Sequence, residues 1–277
     1  MSTSISRRQF LSIAGSSALL AGLSLVGCGS SSTGSSDAGS TAAGSSSSSS
    51  STTGKKYIIA TDTTYAPFEF TDDNNKFVGI DVDLLAAAMK IADIDYDLQS
   101  LGFDAAVAAL ESGQADGVIA GMTITDERKK KYDFSDPYYD TYVCAAAKQG
   151  GDIKSLDDCR GKQVAAKTST IAAQWAESLK DEYGFTITYF DTSDLMFQDV
   201  LTGNSAVCFE DYPVISYGTQ HGSGLESVAV NKDEYSAPYG FAVLKGKNKE
   251  LLDGFNKGLK KLKSNGEYDK ICAKYVK

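Results

Sequence analysis

The sequence predicts an α/β body of two similar units, preceded by a leader and a tether that take no part in the fold. Three observations carry this. Short β-like runs alternate with amphipathic runs of helical length, the alternation restarts after residue 140, and residues 29–54 are almost wholly Ser, Gly, Thr and Ala. Strands that alternate with helices of about 10–15 residues favour mainly parallel pairing, with the helices packed on the sheet faces.

Taken in order, the chain opens with "SRRQFLSIAG", where Arg7 and Arg8 precede an apolar run that ends near Val26. That run is shorter than the roughly 20 residues a bilayer span needs, so residues 1–27 read as a signal peptide. The paired arginines suggest twin-arginine export, although a general secretory signal also carries two arginines. "LVGC" (Leu25–Cys28) looks like a lipobox, which makes Cys28 the lipidated end of a chain anchored on the outer face of the cell membrane. Residues 28–54 then form a tether. Gly29–Gly54 lacks apolar bulk, cannot bury a core, and reaches about 25–30 Å as flexible coil.

In the body, "KYIIATD" reads as a strand, and "TDDNNK" (Thr71–Lys76) as a hairpin turn rather than a metal loop. "GIDVDLLAAAMKIA" passes from a strand end into a helix, with Val82, Leu85, Met89 and Ala92 on one face. "IDYDLQSL" is a strand, "FDAAVAALESG" a helix stopped at Gly113, and "ADGVIAG" a strand. The second series is "TYVCAAAK", "KQVAAKTST", a helix around Trp175, "FTITYF", a helix around Leu195–Leu201, and "SAVCFED". A helical tail closes the chain, with Leu251, Leu252, Phe255, Leu259 and Leu262 in one apolar stripe.

Composition narrows the function classes. The formal charge is −9, and removing residues 1–27 takes away Arg7 and Arg8 and no acid, leaving −11. An acidic body disfavours nucleic acid and anionic lipid as partners. Lys129–Lys131 and Lys260, Lys261 and Lys263 read as solvated helix faces. Cys144, Cys159, Cys208 and Cys272 allow three full disulfide pairings, match no zinc spacing, and are equally compatible with free buried thiols. The single histidine, His221, lies in the turn "TQHGSG" and reads as exposed rather than catalytic. No glycine-rich phosphate loop is present, since "CRGKQVAAKTST" lacks the first glycine and the hydroxyl after the lysine. With no reaction legible, no catalytic residue, cofactor or metal is expected. A binding site belongs at the strand carboxyl ends, in a cleft between the two units.

One stretch points to a ligand. In "AGMTITDERKKKYDFSDPYY" (120–139), Thr125 can cap a short helix, while Gly121, Thr123 and Arg128 can together grip a carboxylate. A guanidinium offers a planar fork for two charge-assisted hydrogen bonds, and a glycine lets backbone approach a ligand closely.

Five motifs, "ATDTTYAPFEF", "FVGIDVDLLAAAM", "GFDAAVAALESGQADGVIAG", "MTITDERKKKYDFSDPYY" and "KKLKSNGEYDKICAKY", resemble in order those of the polar-amino-acid solute-binding proteins of bacterial ABC importers. The resemblance covers residues 57–277 and implies a two-lobe periplasmic-binding-protein fold of type II. Each lobe would be a mainly parallel sheet flanked by helices, joined to the other by two hinge strands near Pro137–Tyr142 and Tyr235–Tyr239. Lobe 1 would be 55–138 plus 239–277, and lobe 2 would be 142–235.

The resemblance also assigns roles. Arg128 would pair with the α-carboxylate of an amino acid, helped by Ala120, Gly121 and Thr123, and by the hydroxyl of Thr170. Asp211 would take the ammonium, with Glu210 as the neighbouring alternative, and Ile171 stands where the family has glycine. The side-chain pocket would be Asp62, Tyr65, Phe68, Phe103 and Lys167. Asp62 and Tyr65 resemble the lysine/arginine/ornithine-binding members and Lys167 the glutamine-binding ones. A lysine repels a cationic side chain, so an acid beside a lysine favours the carboxamide of glutamine; basic amino acids or cystine are the alternative. The partners implied are a free amino acid and the membrane subunits of a permease, with the binding protein itself a monomer. An exported lyase acting on prephenate or arogenate, with Glu210 as its acid, and a sensory receptor are the competing readings.

Overall fold

The computed structural model describes residues 55–276, so the expected signal peptide, the expected lipidation at Cys28 and the expected tether up to residue 54 lie outside the described residues. The chain first forms β1 (Tyr57–Thr61), the hairpin β2 (Phe70–Thr71) and β3 (Phe77–Val78), α1 (Ile80–Ala92), β4 (Tyr96–Ser100) and α2 (Phe103–Ser112). β5 (Gly117–Val118), α3 (Arg128–Lys131) and β6 (Tyr132–Phe134) follow. It then crosses into β7 (Tyr142–Lys148), β8 (Gln163–Lys167), α4 (Ile171–Tyr183), β9 (Thr186–Phe190), α5 (Ser193–Leu201), β10 (Val207–Asp211), α6 (Tyr212–Gln220) and β11 (Leu225–Ser236). It returns to β12 (Ala242–Leu244), α7 (Lys249–Asn265) and α8 (Glu267–Ala273).

These strands build two five-stranded sheets, in the orders β4-β1-β5-β12-β6 and β11-β7-β10-β8-β9. The sheets are mixed, where the sequence pattern predicts mainly parallel ones. β4, β1 and β5 run parallel, as do β10, β8 and β9. β12 runs antiparallel to β5 and β6, and β7 runs antiparallel to β10 and β11. The cause is the double crossing: the strand by which the chain enters each sheet after a crossing, β7 or β12, runs against the parallel centre. At the crossing the two passages lie side by side, with Tyr139 bridged to Tyr239 and the Ala237 amide donating to the Thr141 carbonyl at 3.2 Å.

The helix bounds follow local chemistry. Gly113 and Gly184 end α2 and α4 in the left-handed conformation, and the Thr170 and Thr192 side chains cap α4 and α5. The Asp72 carboxylate accepts the Asn74 and Lys76 amides, which makes "TDDNNK" the expected turn between β2 and β3. In α1 the buried face is Ile80, Leu84, Leu85, Ala88 and Met89, whereas Val82 and Ala92 are half-buried. That face turns toward α7 as well as the sheet. The expected stripe Leu251–Leu262 of α7 is buried, and Gly258 lies so close that a Cβ there would stand 2.5 Å from the Ala88 Cα. In the second lobe Trp175 packs edge-on to Phe209 at 5.1 Å over Val164, Ala166 and Phe185. All four cysteines among the described residues are free.

Candidate functional site: an interlobe cleft at the strand carboxyl ends

Residues at the carboxyl ends of β1 and β8 meet across the lobes. Asp62 follows β1 and Lys167 ends β8; their side chains form an ion pair while 0% and 2% exposed. Burial opposes the Lys167 ammonium, but Asp62 and Glu210 more than offset it and hold its pKa above the ordinary lysine value. The ammonium lies over the Tyr65 ring at 4.6 Å and the Phe103 ring at 5.7 Å, a cation–π arrangement that favours the charged form.

The end of β10 supplies the buried acids. The Tyr65 hydroxyl donates to Asp211 Oδ2 at 2.7 Å, and the Tyr239 hydroxyl donates to the same oxygen. Glu210 accepts from the Ser193 hydroxyl at 2.8 Å and from the Asp211 amide at 2.8 Å. Burial raises the pKa of both, against the opposing pull of Tyr239, Tyr65 and Arg128 on Asp211 and of Lys167 on Glu210. Glu210 is pushed up to about 7.

The first lobe contributes the stretch 120–128. The Thr125 hydroxyl accepts the Arg128 amide at 3.2 Å, so the expected cap forms. Arg128 donates from Nη1 to the Thr123 carbonyl at 2.9 Å and from Nη2 to the Ser169 carbonyl of the other lobe at 3.0 Å. The guanidinium lies over Phe103 at 5.5 Å. Gly121 has φ +52°, and a Cβ there would come within 2.5 Å of the Tyr65 ring, so both conformation and space require glycine. Asp104 accepts the Thr168 hydroxyl at 2.7 Å and adds a polar contact between lobes at the rim.

Tyr65, Phe103, Ala120, Gly121, Thr123, Arg128, Lys167, Thr170 and Asp211 enclose a space of about 20 Å³, room for about one water. The structure therefore brings together nine of the residues the sequence singles out. Asp62 stands behind Lys167, and Glu210 behind Asp211 and Ser193. Phe68 differs from expectation. It is fully buried in the first lobe's core, edge-on to Tyr139 and Tyr239 at 4.9 Å, because the hinge tyrosines cover its ring. Thr170 also differs: its hydroxyl donates to the Lys167 carbonyl at 2.9 Å and accepts the Ala173 amide at 3.1 Å, so it is committed to the helix cap. Sequence reasoning missed Ser193, Tyr239 and the Ser169 carbonyl. Ser169 at φ +61° carries no sequence signal, while Tyr239 was legible only as hinge.

A larger surface cavity of about 520 Å³ lies at the opposite ends of β8 and β10, lined by Lys148, Lys162, Asn204 and Ser205. The convergent ion pair, buried acids and guanidinium are at the carboxyl ends instead, where α/β sheets bind ligands. His221 ends α6, its ring exposed, stacked on Tyr217 at 4.0 Å and with Nδ1 2.8 Å from the Tyr217 carbonyl.

Two α/β lobes that meet over buried charged side chains at the carboxyl ends of their strands define a two-lobe solute-binding protein. The chain belongs to the bacterial extracellular solute-binding proteins, family 3, whose pattern matches residues 57–277. It is 35% identical over 222 residues to the arginine-binding extracellular protein ArtP of Bacillus subtilis (strain 168), covering 80% of this chain and 86% of that protein. An ancestral arginine-binding protein bound to arginine superposes with a TM-score of 0.73 at 38% identity, covering 80% of this chain and 98% of that one. The structure of an ancestral arginine-binding protein bound to glutamine gives 0.72 at 38% identity, covering 80% and 97%. Among the described residues no helix is long and apolar enough to cross a membrane.

Proposed function

We propose that the protein captures one polar amino acid between its lobes and hands it to an ABC importer, and that the preferred ligand is basic, arginine foremost. The observation that carries the choice is the charge balance around Lys167. The sequence argument for glutamine rests on Lys167 repelling a cationic side chain. In the cleft that ammonium is matched by Asp62, so it repels little. Arg128 and Asp211 match the carboxylate and ammonium that every amino acid carries. Among the described residues Glu210 forms no ion pair, and the cation that faces it, Lys167, is bound to Asp62. A guanidinium or ammonium would neutralise it, whereas a carboxamide leaves it either ionised and buried or protonated. The ArtP relative and the arginine-bound ancestral structure support the same choice.

Glutamine is the second reading. The glutamine-bound ancestral structure favours it, and Lys167 with Asp62 offers a carboxamide both a donor and an acceptor. In either case Arg128, assisted by Ala120, Gly121 and Thr123, holds the α-carboxylate, and Asp211 the ammonium. We take 55–138 plus 239–277 and 142–235 as the units that move. The 20 Å³ enclosure admits no amino acid, so the lobes part, Tyr65 releases Asp211, and Arg128 exchanges the Ser169 carbonyl for the ligand. Closure then rests on contacts the open state lacks.

The test is calorimetry on protein unfolded and refolded to strip carried-over ligand, against arginine, glutamine, histidine, cystine and glutamate. Arginine binding well above glutamine supports the charge-balance reading; glutamine without arginine overturns it. Binding of none, with prephenate dehydrated instead, would replace transport by the lyase reading. Attachment to the membrane through Cys28 is part of the same proposal, and palmitate labelling that persists in Cys28→Ser would refute it.

A further inference from the structure

We propose that Glu69 and Asp81 share a single proton and act as positioning residues that hold the Gly121 turn and Tyr65 in the cleft; this rests on the binding reading above. Both side chains are 0% exposed. Asp81 Oδ2 accepts the Gly121 amide at 2.8 Å and the Tyr138 hydroxyl at 2.7 Å, so one carboxylate ties the expected carboxylate-binding turn to the start of the crossing segment. Glu69 holds the other side. Its carbonyl accepts the Tyr65 amide at 2.7 Å, and its own amide donates to the Tyr65 carbonyl at 3.2 Å. Asp81 Oδ1 and both Glu69 carboxyl oxygens are buried with no partner, and the Asp81 amide donates to the Phe68 carbonyl at 2.9 Å, which sets residues 69 and 81 side by side.

Two ionised carboxylates side by side in a dry interior repel and strand their lone pairs. One proton turns the same contact into an O–H···O⁻ bond, with Glu69 donating to Asp81, and removes most of the deficit. The surroundings supply no substitute. Glu69 faces Asp62 at the end of β1 and Lys167 from β8, and that lysine is already bound to Asp62. Asp81 faces Tyr138 from the crossing segment and Cys272 from α8. Among the described residues neither carboxyl forms an ion pair with a lysine or arginine. Burial raises Asp81 to about 6 and Glu69 well above the carboxylate range. A raised carboxyl stabilises the fold fully below its unfolded pKa, and the contribution fades as pH rises through the folded one. The turn should therefore loosen on the alkaline side.

Infrared spectra of the full-length protein near neutral pH test the proton directly. A carboxylic-acid C=O band that shifts in deuterium oxide should be present in Glu210→Gln, which removes the other buried carboxyl raised to about 7, and absent when Glu69→Gln is added to it. Arginine calorimetry from about pH 6.5 to about pH 9 tests the positioning role. Wild-type affinity should fall about tenfold relative to Glu69→Gln, whose amide donates to Asp81 without titrating. A Glu210→Gln protein without the band, a band unchanged when Glu69→Gln is added to it, or parallel pH profiles of the wild type and Glu69→Gln would overturn the proposal. If Glu69→Gln does not fold, Asp81→Asn takes its place: the band of Glu69 should then shift in frequency as it loses its carboxylate acceptor, and an unshifted band would overturn the proposal. If neither arginine nor glutamine binds, the functional reading fails while the infrared band still decides the shared proton.

Discussion

Arg128 is held from its own lobe by the Thr123 carbonyl at 2.9 Å, a contact that survives when the lobes part, while its bond to the Ser169 carbonyl at 3.0 Å is the one a ligand replaces. Arg128→Ala should weaken amino-acid binding by about 3 kcal/mol, roughly two orders of magnitude in Kd, measured by calorimetry. Arg128→Lys should recover little of this because a point charge cannot present the fork. Lys167 behaves differently, since its partner is within the protein. Lys167→Ala leaves Asp62 buried and unpaired, and should lower unfolding free energy by about 3–5 kcal/mol in denaturant titration. The double replacement Lys167→Met with Asp62→Leu should restore most of that stability while altering ligand choice.

Glu210 gives the site a pH dependence of known sign. With its pKa raised to about 7, its contribution to stability is full below the ordinary carboxylate range and is lost as pH rises through 7. Ligand choice moves the other way. Below pH 7 the acid is neutral, so arginine affinity should fall from pH 8 to pH 6, and Glu210→Gln should flatten the profile.

At the scale of elements, α1 and α7 make the first lobe rigid by a close approach that a small residue permits. Gly258→Ala improves helix propensity, yet its methyl would meet the Ala88 backbone at 2.5 Å. The net effect should be a loss of about 1–3 kcal/mol, visible as a lower thermal midpoint. In the second lobe the α4 cap links stability to the site, because Thr170 bonds the carbonyl of Lys167. Thr170→Ala should cost about 1 kcal/mol of stability. A larger loss of affinity than of stability in that variant would show that the cap also orients the lysine.

At the scale of the whole molecule, three polar contacts join the lobes across the cleft besides the bonds of Tyr65 and Tyr239 to the acids of β10. They are Lys167–Asp62, Arg128–Ser169 and Thr168–Asp104. The last lies at the rim and touches none of the residues assigned to ligand. Asp104→Ala should therefore leave the inner site intact while destabilising closure. The expected result is ligand dissociation faster by about threefold to tenfold in stopped-flow fluorescence, with association little changed. An unchanged dissociation rate would place closure energy wholly in the inner contacts.

The sequence by itself determined the α/β class, the order of elements and most of the site's membership. Helical period, glycine stops at Gly113 and Gly184, and the threonine before Arg128 are local signals, and local signals survive in a string. Tertiary structure alone decided what depends on distance through space. The double crossing made the sheets mixed, the hinge tyrosines covered Phe68, and α7 selected which face of α1 is buried. It also decided the charge state of the pocket. In sequence, Asp62 and Lys167 read as an acceptor and a donor of one pocket, open to a carboxamide, whereas in the structure the two, 105 residues apart, are bound to each other. That pairing is an electrostatic fact of the closed cleft, which no spacing along the chain encodes.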